Sequence, residues 1–217
     1  MKKIVIFGSG CHAKVVFSEL AKLKKYEVLG FVDNFLPKNK KIIRHRNKYI
    51  LTIGNIKNLK KYKNVCGVIG VGSSSLRKKI YLEIKSEIKN FKFEKIVSKS
   101  SIVDSNVIIG EGTVVISNSI INTGTIIGKH CLINTSCSID HDNFFNDFSG
   151  TGPGVITGGK VTIGNESYIG IGSTIKDHIK IGKNTFIGGS SYVNKNCENN
   201  TLYYGVPCKK IKVLKKK

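Results

Sequence analysis

Every sixth residue from Val97 to Val193 is apolar, in seventeen positions broken only by Thr151 and Thr157. No insertion shifts the phase. A second series runs two residues ahead of the first. Small residues fill most of it, at Thr113, Ser119, Thr125, Cys131, Cys137, Ser149, Ser167, Ser173, Thr185 and Ser191. Glycine follows the apolar position at 110, 128, 164, 170, 182 and 188. A period of six fits neither the 3.6-residue helix nor a lone alternating strand. It fits a chain that turns a corner every six residues and needs a permissive residue there.

Three such sides make a coil of eighteen residues. Stacked coils pair their strands at about 4.8 Å and bury a column of aliphatic side chains. The small residues belong inside, near the corners, where bulk would not fit. Residues 97–193 therefore read as a β-helix of hexapeptide repeats.

The remainder is different in kind. Residues 1–96 carry 23 Lys and Arg against six acids, residues 97–193 six Lys against seven acids, and residues 194–217 seven Lys against one. This balance matches no helix-turn-helix, zinc-finger or RNP pattern, so nucleic acid is not the expected partner. A basic surface that draws phosphorylated small molecules remains open beside a merely solvated one. No apolar run approaches the ~20 residues of a membrane span. Ile4–Phe7 is too short for a signal-peptide core. The six cysteines are inner coil residues or scattered, without a CxxC pair, and point to a reducing, cytoplasmic setting rather than disulfides or zinc. No metal site is expected.

Lys3–Gly8 reads as a buried strand and is followed by Gly8-Ser9-Gly10-Cys11-His12-Ala13. A helical pattern runs through Val15, Val16, Leu20 and Leu23, and Val28–Asp33 is a second strand ending in an acid. Such a glycine turn lets backbone N–H groups approach a phosphate, and the acid can reach a ribose. Residues 34–47 read as a polar loop and Tyr49–Gly54 as a strand. Asn55–Tyr62 reads as a short helix and Val65–Gly72 as a buried strand. Ser73–Glu87 reads as a helix with Leu76, Ile80 and Ile84 on its apolar face. The result is an α/β, Rossmann-like domain over 1–96, the β-helix over 97–193 and a tail over 194–217.

The glycine-rich β-α-β, the uninterrupted hexapeptides and Gly205-Val206-Pro207 together resemble the sialic-acid O-acetyltransferase and UDP-amino-sugar N-acetyltransferase family. Gly30-Phe31-Val32-Asp33, Ile69-Gly70-Val71-Gly72, Leu76-Arg77-Lys78-Lys79-Ile80 and Ile139-Asp140-His141-Asp142 also match it. The resemblance implies a left-handed β-helix that forms a homotrimer. It implies acetyl-CoA in the groove between neighbouring β-helices, and a nucleotide-linked amino sugar held by the N-terminal domain. His141 would be the general base with Asp142 beside it. Acetyl-CoA would touch Gly159, Ile171 and Gly189, and the sugar nucleotide Gly10, Cys11, His12, Asp33, Asn34 and Gly72. Gly150 stands where the family usually has a second histidine.

Register adds an argument of its own. Gly159 lies eighteen residues after His141, so it stacks on the same corner, where bare backbone would let an N–H reach a thioester oxygen. Histidine suits proton acceptance near neutral pH, and an adjacent carboxylate, Asp142 or Asp140, can fix its tautomer. The expected reaction is direct N-acetylation in a ternary complex. The alternatives are O-acetylation of a sialic-acid-like sugar, an NAD-dependent oxidoreductase suggested by Gly8–Ala13 alone, and a non-catalytic trimeric scaffold. Acetyl-CoA consumption separates the first two from the rest, and nicotinamide binding would identify the third.

Overall fold

The computed structural model describes residues 1–214. The final three lysines of the expected tail lie outside them. The chain divides into two compact units, Met1–Ile96 and Val97–Lys217.

The first unit is a five-stranded sheet in the order β3-β4-β2-β1-β5, with β1 (Lys2–Phe7), β2 (Tyr26–Val32), β3 (Lys41–His45), β4 (Lys48–Gly54) and β5 (Val65–Ile69). All neighbours are parallel except β3 and β4. Helix α1 (Cys11–Lys22) buries Ala13, Val16, Phe17 and Leu20, spaced as one helical face requires. Helix α2 (Ser74–Glu87) opens on Ser73, whose Oγ accepts from the Leu76 amide at 3.4 Å. Asn55 opens a 3₁₀ turn over Ile56–Lys61 with a reciprocal side-chain cap to Asn58.

Two readings need correction here. The polar stretch 34–47 contains β3, which forms a hairpin with β4 through Arg46 at φ 52°. Its Lys41-Ile42-Ile43-Arg44-His45 sequence hides a strand because edge strands carry cations that discourage further pairing. Leu76 is also not a core residue: it is 45% exposed, whereas Ile84 is fully buried.

The second unit is a parallel β-helix. Two-residue strands from Ile96–Val97 to Tyr192–Val193 pair with the strand eighteen residues on, as in Ile121↔Ile139 and Ile139↔Thr157. They stack into three sheets of six, five and eight strands, the last including the two longer strands Thr201–Gly205 and Cys208–Val213. The six-residue series fills the interior, with Val115 to Val193 buried and Val97, Val103 and Ile109 partly so. Burying each aliphatic side chain contributes about 1.5–3 kcal/mol.

The inner small residues form a hydrogen-bonded ladder. The hydroxyls of Thr113, Ser119, Thr125, Ser167 and Ser173 each donate to the carbonyl fifteen residues on, at 2.5–2.9 Å. Thr113, Thr125, Ser167 and Ser173 also accept the amide eighteen residues on, at 2.9–3.3 Å. Backbone groups left over at each corner are thereby satisfied from inside.

The glycines after the apolar positions are not the permissive corner residues that the sequence suggests. The left-handed residue comes two places later, at Asn118, Asp142 or His178 for example. The earlier glycines are small because the coils touch there: a Cβ on Gly164 would stand 2.5 Å from the Gly182 carbonyl carbon. Residues 194–214 are not a loose tail either. Thr201–Gly205 adds a parallel strand to Phe186–Ile187, and Cys208–Val213 folds back antiparallel on it.

Candidate active site

In the N-terminal unit, Gly10, Cys11, His12, Asp33, Asn34 and Gly72 all line one cleft of about 420 Å³ at the C-terminal ends of β1, β2 and β5. This is where an open α/β sheet offers backbone amides to a ligand. Gly8 ends β1 with φ +90°, a conformation that favours glycine. Ala13 is small because Gly70 packs against it; a Cβ on Gly70 would meet the Ala13 Cα at 2.8 Å. Gly10 and Gly72 face open space, where an added Cβ would meet nothing within 4 Å. The protein itself does not demand glycine at either place.

Asp33 is already engaged within the protein. Its Oδ1 accepts from the amides of Phe35 and Leu36 at 2.9 and 3.2 Å, and its Oδ2 from Ser9 Oγ at 2.5 Å. It ties the glycine turn to the loop after β2. Asn34 donates from Nδ2 to Glu83 Oε1 at 2.7 Å. His12 is held neutral: burial first, and the Arg77 charge second, push its pKa down to about 4. Buried Arg77 itself donates to the carbonyls of Val71 and Gly72 at 3.0 and 2.8 Å, fixing that wall. Cys11 is an exposed free thiol.

The sequence reading missed Phe35, Lys79 and Glu83, which also line the cleft, Phe35 with 95% of its surface exposed. A signal existed for the last two. Leu76, Lys79, Ile80 and Glu83 share one helical face by spacing, and that face lines the cleft, with Ile80 also packed against the core.

In the β-helix, His141 and Asp142 form the turn between the strands Ser138–Ile139 and Phe144–Phe145. The ring Nδ1 lies 2.9 Å from Asp142 Oδ2, with the side chains 47% and 52% exposed. With Nδ1–H donated to the carboxylate, Nε2 carries the lone pair. Asp140 does not compete for the ring. Its Oδ1 accepts from the His141 amide at 2.8 Å and from Asn122 Nδ2 at 3.2 Å, which holds its carboxyl below the usual range.

Two glycines frame the pair. A Cβ on Gly124, one coil before, would stand 2.2 Å from Asp142 Oδ1; a Cβ on Gly159, one coil after, would stand 2.5 Å from His141 Nε2. Gly159 is therefore buried under the imidazole rather than bare on the outside of the corner. Its amide makes no hydrogen bond among the described residues.

Ile171 and Gly189 stack on each other at a different corner, with a Gly189 Cβ position 3.0 Å from Ile171 Cγ2. That corner joins the eight-stranded and six-stranded sheets, whereas the His141 corner joins the six-stranded and five-stranded ones. The single chain brings His141 to Gly159 and Ile171 to Gly189, and keeps the two pairs on separate edges. Gly150 lies within a strand of the eight-stranded sheet, between Leu132 and Tyr168.

Comparison with known proteins matches residues 3–84 to the PglD N-terminal domain and residues 160–195 to the bacterial transferase hexapeptide model of six repeats. Among solved structures, perosamine N-acetyltransferase from Caulobacter crescentus, in complex with CoA and GDP-perosamine, is 25% identical. It superposes with a TM-score of 0.86 over 96% of this chain and 96% of its own, in a histidine-to-asparagine variant. The acetyltransferase domain of PglB from Neisseria gonorrhoeae FA1090, in complex with acetyl coenzyme A, shares the fold at 23% identity. Its TM-score is 0.86 over 97% and 99% of the two chains. WeeI from Acinetobacter baumannii AYE does so at 20% identity and TM-score 0.82, over 96% and 99%. The chain thus shares with these acetyltransferases a PglD-type N-terminal domain followed by a left-handed β-helix of hexapeptide repeats.

Proposed function

We propose that the protein transfers the acetyl group of acetyl-CoA to the amine of a nucleotide-linked amino sugar. The observation that carries the reading is the His141–Asp142 pair, with Nε2 turned to Gly159, in a fold shared with an N-acetyltransferase bound to CoA and GDP-perosamine. His141 Nε2 accepts the proton of the attacking amine as its nitrogen bonds to the thioester carbon. Asp142 holds the ring in the tautomer that leaves Nε2 free and stabilises the imidazolium. The Gly159 amide is the donor available to the developing oxyanion. Collapse breaks the carbon–sulfur bond, and the imidazolium returns the proton to the departing thiolate. No covalent intermediate on the protein is needed.

The N-terminal cleft suits the nucleotide. Gly10 and Gly72 leave space that a phosphate can fill, neutral His12 can donate or accept without a charge, and Lys79 supplies a cation. Asp33 and Asn34 shape the cleft, and Cys11 lies at its rim. Ile171 and Gly189 would meet the acyl donor on a neighbouring subunit's edge, since one chain keeps them apart from His141. A homotrimer supplies that edge. Exposed Ile102, Ile120 and Ile156 on one side of the His141 corner, and Ile108, Ile126 and Phe144 on the other, give it an apolar surface. Six free thiols fit a cytoplasmic setting, and no helix among the described residues is long and apolar enough to cross a membrane.

The test is acetyl-CoA consumption with GDP-, UDP- and dTDP-linked amino sugars and with free sialic acids. Turnover is expected only with an amine acceptor. Turnover with sialic acids alone would replace this reading by O-acetylation.

A further inference from the structure

Asn143 is the one amide side chain among the fifteen inner positions that recur every six residues from Thr113 to Cys197. It follows the His141–Asp142 turn directly. Where Ser and Thr stand in this series, the side chain makes the ladder bonds described above. Asn143 makes both kinds: Nδ2 donates to the Gly158 carbonyl fifteen residues on at 3.0 Å, and Oδ1 accepts from the Val161 amide eighteen residues on at 3.2 Å. Its second N–H then lets it hold its own turn at the same time, whereas a hydroxyl, with one hydrogen, serves either that turn, as Ser191 does at the Gly188 carbonyl, or the carbonyl fifteen residues on, as Ser173 does. The other Nδ2 hydrogen is shared between the carbonyls of Asp140 at 2.7 Å and His141 at 3.3 Å. The side chain is 1% exposed.

One buried amide therefore grips both corners that frame the imidazole. It holds the peptide groups on either side of the His141 Cα, and it holds the carbonyl that leads into Gly159, against which Nε2 rests. The Asp140 carbonyl is held a second time, by Thr125 Oγ1 at 2.9 Å. The His141 ring is itself half exposed and has little packing to fix it, so the backbone beneath it sets its direction.

We infer that Asn143 is a positioning residue for the proposed base: it aligns His141 with the corner of the next coil, beyond its part in the ladder. This rests on the reading of His141 as general base.

Serine provides the discriminating substitution, because Ser119, Ser167 and Ser173 show that it fits an inner position and continues the ladder. Asn143→Ser should keep the fold and lose the simultaneous hold on the His141 turn and on the Gly158 carbonyl, because a hydroxyl has one hydrogen to give. The expected result is a kcat lowered about 10- to 100-fold, an unchanged KM for acetyl-CoA and a melting temperature near that of the native protein. Ser167→Ala, which removes a ladder bond four corners farther on in the chain direction and away from the histidine, should lower the melting temperature and leave kcat per folded molecule unchanged. A native kcat in Asn143→Ser would overturn the inference. So would a loss of kcat that merely tracks a fall in melting temperature, or an equal loss in Ser167→Ala. If His141→Ala retains turnover, the base assignment falls and takes this inference with it. If His141→Ala is inactive and Asn143→Ser is not, the inference alone falls.

Discussion

At the scale of single residues, the two groups about His141 have separable duties. Removing the imidazole in His141→Ala should lower kcat by ~10²–10⁴, the range for a lost general base. Asp142→Asn should cost less, because it weakens the hold on the ring without removing the lone pair; equal losses in steady-state assays would contradict this division. Gly159 has a second part beside the one its register suggests. Its hydrogen atoms leave room for Nε2, so Gly159→Ala brings a Cβ to 2.5 Å from that nitrogen and the ring must swing away. Because the ring is half exposed, it can do so without disturbing the coil. The expected outcome is a native melting temperature with kcat reduced up to ~10²-fold. A lowered melting temperature with native kcat per folded molecule would make Gly159 a structural corner only.

At the scale of elements, the glycines between coils matter through contact rather than backbone angle. Gly164→Ala places a Cβ 2.5 Å from both the Gly182 carbonyl carbon and the Lys183 amide nitrogen, neither of which is the end of a flexible chain. The coils must part locally, at about 1–3 kcal/mol by analogy with overpacked cores. Calorimetry on the variant measures it, and an unshifted transition would refute the contact. The coils themselves were legible in the sequence because their period is long, regular and unlike any competing one; the inner ladder residues Thr113 to Ser191 are all buried as read. Strand β3 was not legible, because Lys41, Arg44 and His45 give it the composition of a loop. The hairpin over Thr201–Val213 has no six-residue period to announce it. Of the site, His141 and Asp142 stood out by resemblance and by register. Asn143 did not, since nothing in its identity distinguishes an amide that reaches two corners from a polar residue at a turn. Phe35 was silent for a similar reason: a lone aromatic in a polar stretch carries no period.

At the scale of the whole molecule, the proposed trimer would tie activity to assembly through the apolar side chains flanking the His141 corner. Ile126→Glu places a charge at a site 38% exposed in the isolated chain, next to Phe144 one coil on. Light scattering should show trimers for the native protein and smaller species for the variant, with turnover lost in parallel; a native monomer with full activity would end the shared-groove model. The corner geometry reaches beyond this one reaction. Asp142 sits at φ 56° in a place that every third turn repeats, with Gly124 before it and Lys160 and His178 after. Two coils on, Asp177 and His178 repeat the pair in reverse order, with His178 Nε2 3.7 Å from Asp177 Oδ2 and side chains 66% and 51% exposed. The next coil offers Lys195 rather than glycine above Asp177. A stack of equivalent corners is thus a row of interchangeable sockets. An ancestor could relocate its reactive pair along the row by substitution alone, with no change of backbone, provided a glycine followed eighteen residues later.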